Sequence, residues 1–295
     1  MSSGPKTMLI ESTRSTSGLR LNSFNVPASR RRCLAYRRRI LEISQQVTAV
    51  HVAPAFSCLE MTDVVYHGLM RSSPHPDRSP FFLDSFVMSK GHGCLSQYVI
   101  LEDMGILDRR DVERYCTPEG RLGAHPDYGN PGIEASTGSL GHGLGIATGM
   151  AYADKVKRDR RVVYVILSDG ELQEGSTWEA LMMAANLDLS NLVALLDLND
   201  FQGLGRTSET HPHFYPVLDK VRAFGWEAAE VCGHDAGAVF QAVSLRTGER
   251  PFFLVCKTVK GKGVSYMEHV PIWHYRSPNK EEYAWALAEL REVAS

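Results

Sequence analysis

Apolar residues in this chain fall into short continuous runs separated by helically spaced stretches. "RVVYVILSDG" (Arg161 to Gly170) is a β-branched run that stops on Ser-Asp-Gly. "NLVALLDLND" (Asn191 to Asp200) and "PFFLVCKT" (Pro251 to Thr258) repeat the pattern, and "GWEAAEV" (Gly225 to Val231) reads as a further strand. Helical spacing is predicted from about Tyr36, over Glu60 to Met70, Leu95 to Met104, Leu144 to Val156 and Thr177 to Leu187. "NKEEYAWALAELREV" (Asn279 to Val293) reads as a closing amphipathic helix. Buried strands alternating with helices predict an α/β fold, a mostly parallel sheet with helices on both faces.

Two segments break the rhythm. "RSSPHPDRSP" (Arg71 to Pro80) is a turn-rich loop by its Pro, Ser and Asp content. "TPEGRLGAHPDYGNPGIEASTGSLGHG" (Thr117 to Gly143) is a long Gly/Pro/His loop, and loops of that length inside a compact domain are usually functional. No internal repeat or long linker is present.

Composition narrows the class. The 295 residues are 43% hydrophobic, enough for one large core or two modest ones. A net charge of −2 gives no global argument for nucleic acid or membrane partners. The six cysteines are scattered, without a C-x-x-C pair, so free thiols in a reducing cytoplasm are expected. The first 39 residues hold eight arginines, one lysine and one acid, concentrated in "SRRRCLAYRRRI" (Ser29 to Ile40). A transit peptide has this composition, and so does a basic tail leading into a first helix. The second reading is taken, with residues 1–40 as a basic extension that packs on a partner subunit in its sharper form.

Two predicted strands end on candidate ligands: Asp169-Gly170 after the first, and Asp197, Asn199 and Gln202 after the second. Open α/β sheets bind ligands at the carboxyl ends of their strands. Asp and Asn are hard oxygen donors, and a site with two such side chains and a carbonyl leaves room for phosphate oxygens on Mg²⁺. Each residue alone is as readily a helix cap. Both at the ends of neighbouring strands favour a metal–diphosphate site.

"SDGELQEGSTWEALMMAANLDLSNLVALLDLNDFQ" resembles the thiamine diphosphate signature, Gly-Asp-Gly then Asn, with 28 residues (171–198) between Gly170 and Asn199. "MSKGHG", "GAHPDYGNPGIEASTGSLGHGLGIATGMAYA", "DGELQEGSTWEA" and "TVKGKGVSYME" are similar to the transketolase family in particular. The likeness runs from about Ile43 to Pro278, with residues 41–295 as the diphosphate-side domain.

The resemblance implies a site. Asp169 and Asn199 would hold Mg²⁺ with the backbone carbonyl of Phe201, with Ca²⁺ or Mn²⁺ as substitutes. Gly138, Ser139, Leu140, Gly170 and Glu171 would contact thiamine diphosphate, as would His92 and His274. His51, His92, His125 and His274 would be the catalytic histidines, His125 reaching the terminal hydroxyl of a ketose donor and His51 facing the reacting carbonyl. The spacing after "GKGVSYME" leaves His269 as the alternative to His274. Glu174 would lie at a subunit interface. Gly91 and Gly93 would keep the approach to His92 open. An apolar interface is expected around Leu172 to Met183 and the helix after Gly143.

The departures are specific. Ser168 replaces the first glycine of the signature, "HVAPAF" replaces a glycine-rich stretch so that Ala53 reshapes the mouth near His51, and His142 stands where many full-length relatives carry glutamine. The chain is about half a transketolase in length. The implied partner is a separate C-terminal subunit carrying the pyrimidine-binding domain and the activating glutamate, in an α2β2 assembly acting on small sugar substrates.

Four readings compete with this one: a dinucleotide oxidoreductase, a His-rich zinc hydrolase, another thiamine diphosphate-dependent C–C or acyl-transfer subunit, and a non-catalytic scaffold. "GHGLGIATG" lacks the G-x-G-x-x-G spacing and follows a loop, which counts against the first. No H-x-x-x-H or H-E-x-x-H spacing supports the second.

Overall fold

The computed structural model describes residues 24–47, 50–73, 81–203 and 205–291. Most of the predicted loop at Arg71 to Pro80, and residues 1–23 of the basic segment, lie outside them.

Five parallel strands form the main sheet: β1 (Ser85–Met88), β2 (Val163–Ser168), β3 (Leu192–Leu198), β4 (Glu227–Cys232) and β5 (Phe252–Lys257), in the order β1-β2-β3-β5-β4. Parallel strands need crossover connections, and helices supply them. The helices of six or more residues are α1 (Val26–Ser44), α2 (Val52–Ser57), α3 (Leu59–Val64), α4 (Cys94–Asp103), α5 (Gly143–Lys157), α6 (Gly175–Asn186), α7 (Val217–Ala223), α8 (Ala236–Ser244) and α9 (Lys280–Glu289); α4 to α8 lie in the crossovers, α1 to α3 precede β1 and α9 follows β5.

The sheet buries both faces, which explains the unbroken apolar runs. Tyr164, Ile166, Val193, Leu195, Phe252 and Leu254 pack with α1, α3, α4 and α8 on one side. Val163, Val165, Leu167, Ala194, Leu196, Phe253 and Val255 pack with α5, α6 and α7 on the other. Each such side chain stabilises the fold by about 1.5–3 kcal/mol relative to exposure. Strand β1 escapes the sequence reading because it has only four residues, directly after a turn.

The first helix starts ten residues before the predicted Tyr36, at Val26, capped by the Asn25 side chain accepting from Ala28 N–H at 2.9 Å. A boundary at residue 40 therefore falls inside a continuous helix. The arginines expected in a basic extension are partly structural: Arg32 pairs with Asp63 at 2.7 Å, Arg37 with Glu60 at 2.7 Å and Arg39 with Glu102 at 2.8 Å. Cys33, Tyr36, Ile40 and Leu41 face the core. All six cysteines are free. No described helix is long and apolar enough to cross a membrane.

Because the strands are parallel, their carboxyl ends share one edge. That edge receives Ser89-Lys90 after β1, Asp169 after β2, Asn199 after β3 and Thr258 after β5.

Candidate active site

Four of the predicted histidines converge at this edge. His51 lies at the centre, its ring 5.8 Å from His92, 5.8 Å from His125 and 5.6 Å from His274, centroid to centroid. His92 and His274 are 5.3 Å apart. The positions come from four different segments: the start of α2, the turn after β1, the long loop, and a 3₁₀ turn at Pro271–Tyr275. His269 is exposed and uses its backbone N–H on the Lys260 carbonyl, so the late histidine of the cluster is His274. His142 is exposed and caps α5 outside the cluster.

Burial is the first cause that keeps this cluster neutral. It pushes His51 down to about 4, helped by the neighbouring His125 ring and the Lys90 and Lys260 side chains, which oppose a second positive charge there. His274 is pushed down to about 3 by burial and by Lys260, and His92 well below the ordinary range by burial and Lys90. His125 is lowered by burial as well. A neutral imidazole offers one donor and one acceptor, which suits proton exchange with hydroxyl and carbonyl groups. Nδ1 of His51 is buried with no hydrogen-bond partner among the described residues, so it is available to a ligand atom.

The glycines around His92 serve the protein first. A Cβ on Gly91 would stand 2.6 Å from the Gly138 Cα and 2.9 Å from the His125 ring. Gly138 has φ +123° and itself lies against the His125 ring. The pair therefore lets the long loop close onto the β1 turn and deliver His125. Gly93 packs on Met88, Cys58 and Lys90. Close loop packing is thus a reason for glycine at 91 and 93 in addition to the expected approach to His92.

The residues expected to hold a metal also lie together at this edge. The Asp169 carboxylate accepts from Gly170 N–H at 3.0 Å and Asp200 N–H at 2.5 Å, which ties the β2 end to the β3 end. Asn199 Oδ1 accepts from Phe201 N–H at 3.1 Å, and the Phe201 carbonyl lies 3.6 Å from where a Gly170 Cβ would be. Burial and the nearby Asp197 charge push the Asp169 carboxyl up to about 7. A divalent cation would reverse that penalty, so the residues fit the metal. Among the described residues, no group of three or more His, Cys, Asp or Glu is placed to hold a metal. The zinc hydrolase alternative therefore lacks a ligand set, whereas the magnesium set needs one carboxylate, one amide and one carbonyl.

Several residues correct or extend the sequence reading. Asp197, read as a strand-end ligand candidate, is buried with Lys90, and Ser57, Thr258 and Lys90 all donate to its carboxylate. Burial pushes that carboxyl up, but Lys90 and the hydrogen bonds outweigh it and hold it low. Glu171 is spent inside the protein: its carboxylate accepts from Ser89, from Gly141 N–H at 3.0 Å and from Ser168 N–H at 3.4 Å, and its own N–H donates to Ser168 Oγ. It buttresses the turn between the β1 and β2 ends. Lys260 lies in the "TVKGKG" motif, yet motif spacing does not mark its side chain as a site residue. Its Nζ donates to His274 Nδ1 at 2.6 Å and lies 5.1 Å from the Phe201 ring centroid, and burial beside Lys90 pushes it down to about 7. Tyr275 also escapes sequence reasoning; its half-exposed ring lies 4.6 Å from that of His51.

Ser139 and Leu140 follow Gly138 in the same loop, and Gly170 opens the turn after Asp169. Glu174 is exposed at the N-terminus of α6. Ala53 is fully buried, and its carbonyl accepts from Gly261 N–H at 3.2 Å.

Comparison with known proteins shows the family. Residues 29–281 match the family described as transketolase, thiamine diphosphate binding domain. The chain is 38% identical over 259 residues to one of the named subunits of the apulose-4-phosphate transketolase of Phocaeicola vulgatus, covering 87% of this chain and 91% of that one. It is 34% identical to the 6-deoxy-6-sulfo-D-fructose transketolase subunit SqwG of a Clostridium species, covering 87% and 94%. Against human transketolase the identity is 36%, covering 81% of this chain but 38% of the human one. The solved transketolase of Leishmania mexicana superposes with a TM-score of 0.78 at 28% identity, over 89% of this chain and 41% of that one. The chain thus spans less than half of such long relatives and most of the subunit-length ones. It belongs to the transketolase family of transferases, as that family's thiamine diphosphate-binding domain.

Proposed function

We propose that this chain is one subunit of a two-component transketolase. It transfers a two-carbon ketol unit from a ketose, or ketose phosphate, to an aldehyde, with thiamine diphosphate and Mg²⁺ bound. The observation that carries the reading is the neutral four-histidine cluster beside the Asp169–Asn199–Phe201 donor set. When bound, the cofactor supplies the nucleophilic carbon and the electron sink for breaking a C–C bond beside a ketone.

The protein's part is to bind, orient and exchange protons. Asp169, Asn199 and the Phe201 carbonyl would hold the cation, and Lys260 and His92 would face the diphosphate. Gly138, Ser139, Leu140 and Gly170 would provide close backbone contacts. His125, held over Gly138, would fix a donor hydroxyl. His51 and His274 would exchange a proton with the reacting oxygen, because each stays neutral at working pH, with His51 Nδ1 unpartnered and His274 Nε2 the ring nitrogen away from Lys260.

The partner requirement has support in two places. The subunit-length relatives carry subunit names, and α5 and α6 expose Ile146, Tyr152, Val156, Met182 and Met183. An exposed apolar set of this size fits a subunit interface. We place the catalytic glutamate on a separate pyrimidine-domain subunit, in an α2β2 complex in the cytoplasm. The test is turnover of the reconstituted complex with xylulose 5-phosphate or fructose 6-phosphate as donor and an aldose acceptor. Ketol transfer by the complex supports the reading. Transfer by this chain alone, partner excluded, would remove the two-component claim.

A further inference from the structure

Lys260 sits on a short segment after β5; its carbonyl accepts from His269 N–H at 3.2 Å, and three further backbone groups of the segment are held by residues from elsewhere in the fold. Val259 N–H donates to His234 Nε2 at 2.8 Å. Gly261 N–H donates to the Ala53 carbonyl at 3.2 Å. The Lys262 carbonyl accepts from Arg37 Nε at 2.9 Å. Two of these anchors meet in one carboxylate. Glu60 takes Arg37 Nη1 at 2.7 Å and Nη2 at 3.0 Å, and lies 2.9 Å from His234 Nδ1. An amide N–H can only donate, so Nε2 of His234 is the acceptor and its proton resides on Nδ1, aimed at Glu60.

We propose that Arg37, Glu60 and His234 form a positioning clamp that fixes the Lys260 segment, and with it the cation presented to the cofactor's diphosphate. The inference rests on the placement of Lys260 in the cofactor site. None of the three reaches the histidine cluster; they act through backbone. Arg37 comes from α1 and Glu60 from α3, while His234 follows β4, so the clamp joins the helical layer and the edge of the sheet to the site. Glu60 stays ionised in this position: burial opposes its charge, but Arg37 and His234 outweigh it and hold the carboxyl down at about 2. Outer partners of metal ligands typically change metal affinity by about 10- to 100-fold when removed, and an effect at the lower end of that range is expected for a clamp on the Lys260 segment.

The test is calorimetric titration of thiamine diphosphate, at saturating Mg²⁺, into the complex of this chain with its pyrimidine-domain subunit. Wild type, His234→Ala, Glu60→Gln and the double variant are compared, with thermal unfolding measured in parallel. Each single variant is expected to bind about tenfold more weakly or worse. The double variant should be no weaker than the worse single one, because both cut the same path. Added imidazole should restore part of the His234→Ala loss, an effect that general destabilisation would not show, and this arm stands if Glu60→Gln fails to fold. Unchanged affinity in His234→Ala, or additive losses that follow the melting temperature, would overturn the clamp. A wild-type complex that binds no thiamine diphosphate would instead overturn the cofactor reading, and the clamp with it.

Discussion

The Lys260 Nζ lies 2.6 Å from Nδ1 of His274, deep in the site and beside the Phe201 ring. With Nδ1 accepting, the His274 ring carries its proton on Nε2, so one lysine sets the tautomer of a catalytic candidate. Lys260→Met removes both the charge and that bond. A charge-assisted hydrogen bond from Lys260 to the diphosphate would be worth about 1.5–3 kcal/mol, so on the proposed placement cofactor affinity should fall by about 10- to 100-fold. A titration with and without the substitution checks it. Unaltered affinity would place Lys260 outside the diphosphate contacts.

Asp169→Ala should abolish Mg²⁺-dependent binding of thiamine diphosphate while the fold persists. Its carboxylate also accepts from Gly170 and Asp200 N–H, so Asp169→Asn is the gentler companion. Metal titration followed by calorimetry reads the effect. Retained metal dependence in both variants would refute the ligand assignment.

His125→Ala should raise the donor KM and lower kcat while sparing cofactor affinity. The His125 ring packs on Gly138, and its proposed role is with the donor and not with the metal. Steady-state kinetics on the reconstituted complex separate the two parameters. A variant with ordinary donor kinetics would take this histidine out of the donor site.

Acid should weaken the fold through the cluster. His51 and His274 have folded values of about 4 and about 3, below the ordinary 6.5. The unfolded chain therefore takes up protons first as pH falls. Their stabilisation is fully present above 6.5 and is lost as pH drops through the interval down to those folded values. Urea unfolding at falling pH should show this decline, and His51→Asn with His274→Asn should flatten it. A slope unchanged by the double substitution would contradict the buried-neutral assignment.

Much of this architecture is legible in the sequence because parallel strands buried on both faces leave unbroken apolar runs, as in β2, β3 and β5. The candidate histidines are legible through motif resemblance. What stays hidden is mostly long-range. Lys90 and Asp197 are 107 positions apart, and only the convergence of the β1 and β3 ends pairs them. The Arg-rich stretch reads as a tail because its counter-charges, Asp63, Glu60 and Glu102, lie on α3 and α4. Glu171 sits next to the signature glycine, and nothing local says that its carboxylate turns inward to Ser89 and Gly141.

The most direct measurement is calorimetric binding of thiamine diphosphate with Mg²⁺ to this chain, first alone and then with the pyrimidine-domain subunit. Weak or absent binding alone and a sharp gain with the partner are expected, since the proposed cofactor site is built between two chains. No binding in either state would contradict the central claim and withdraw the assignments of Asp169, Asn199, Lys260 and the four histidines together.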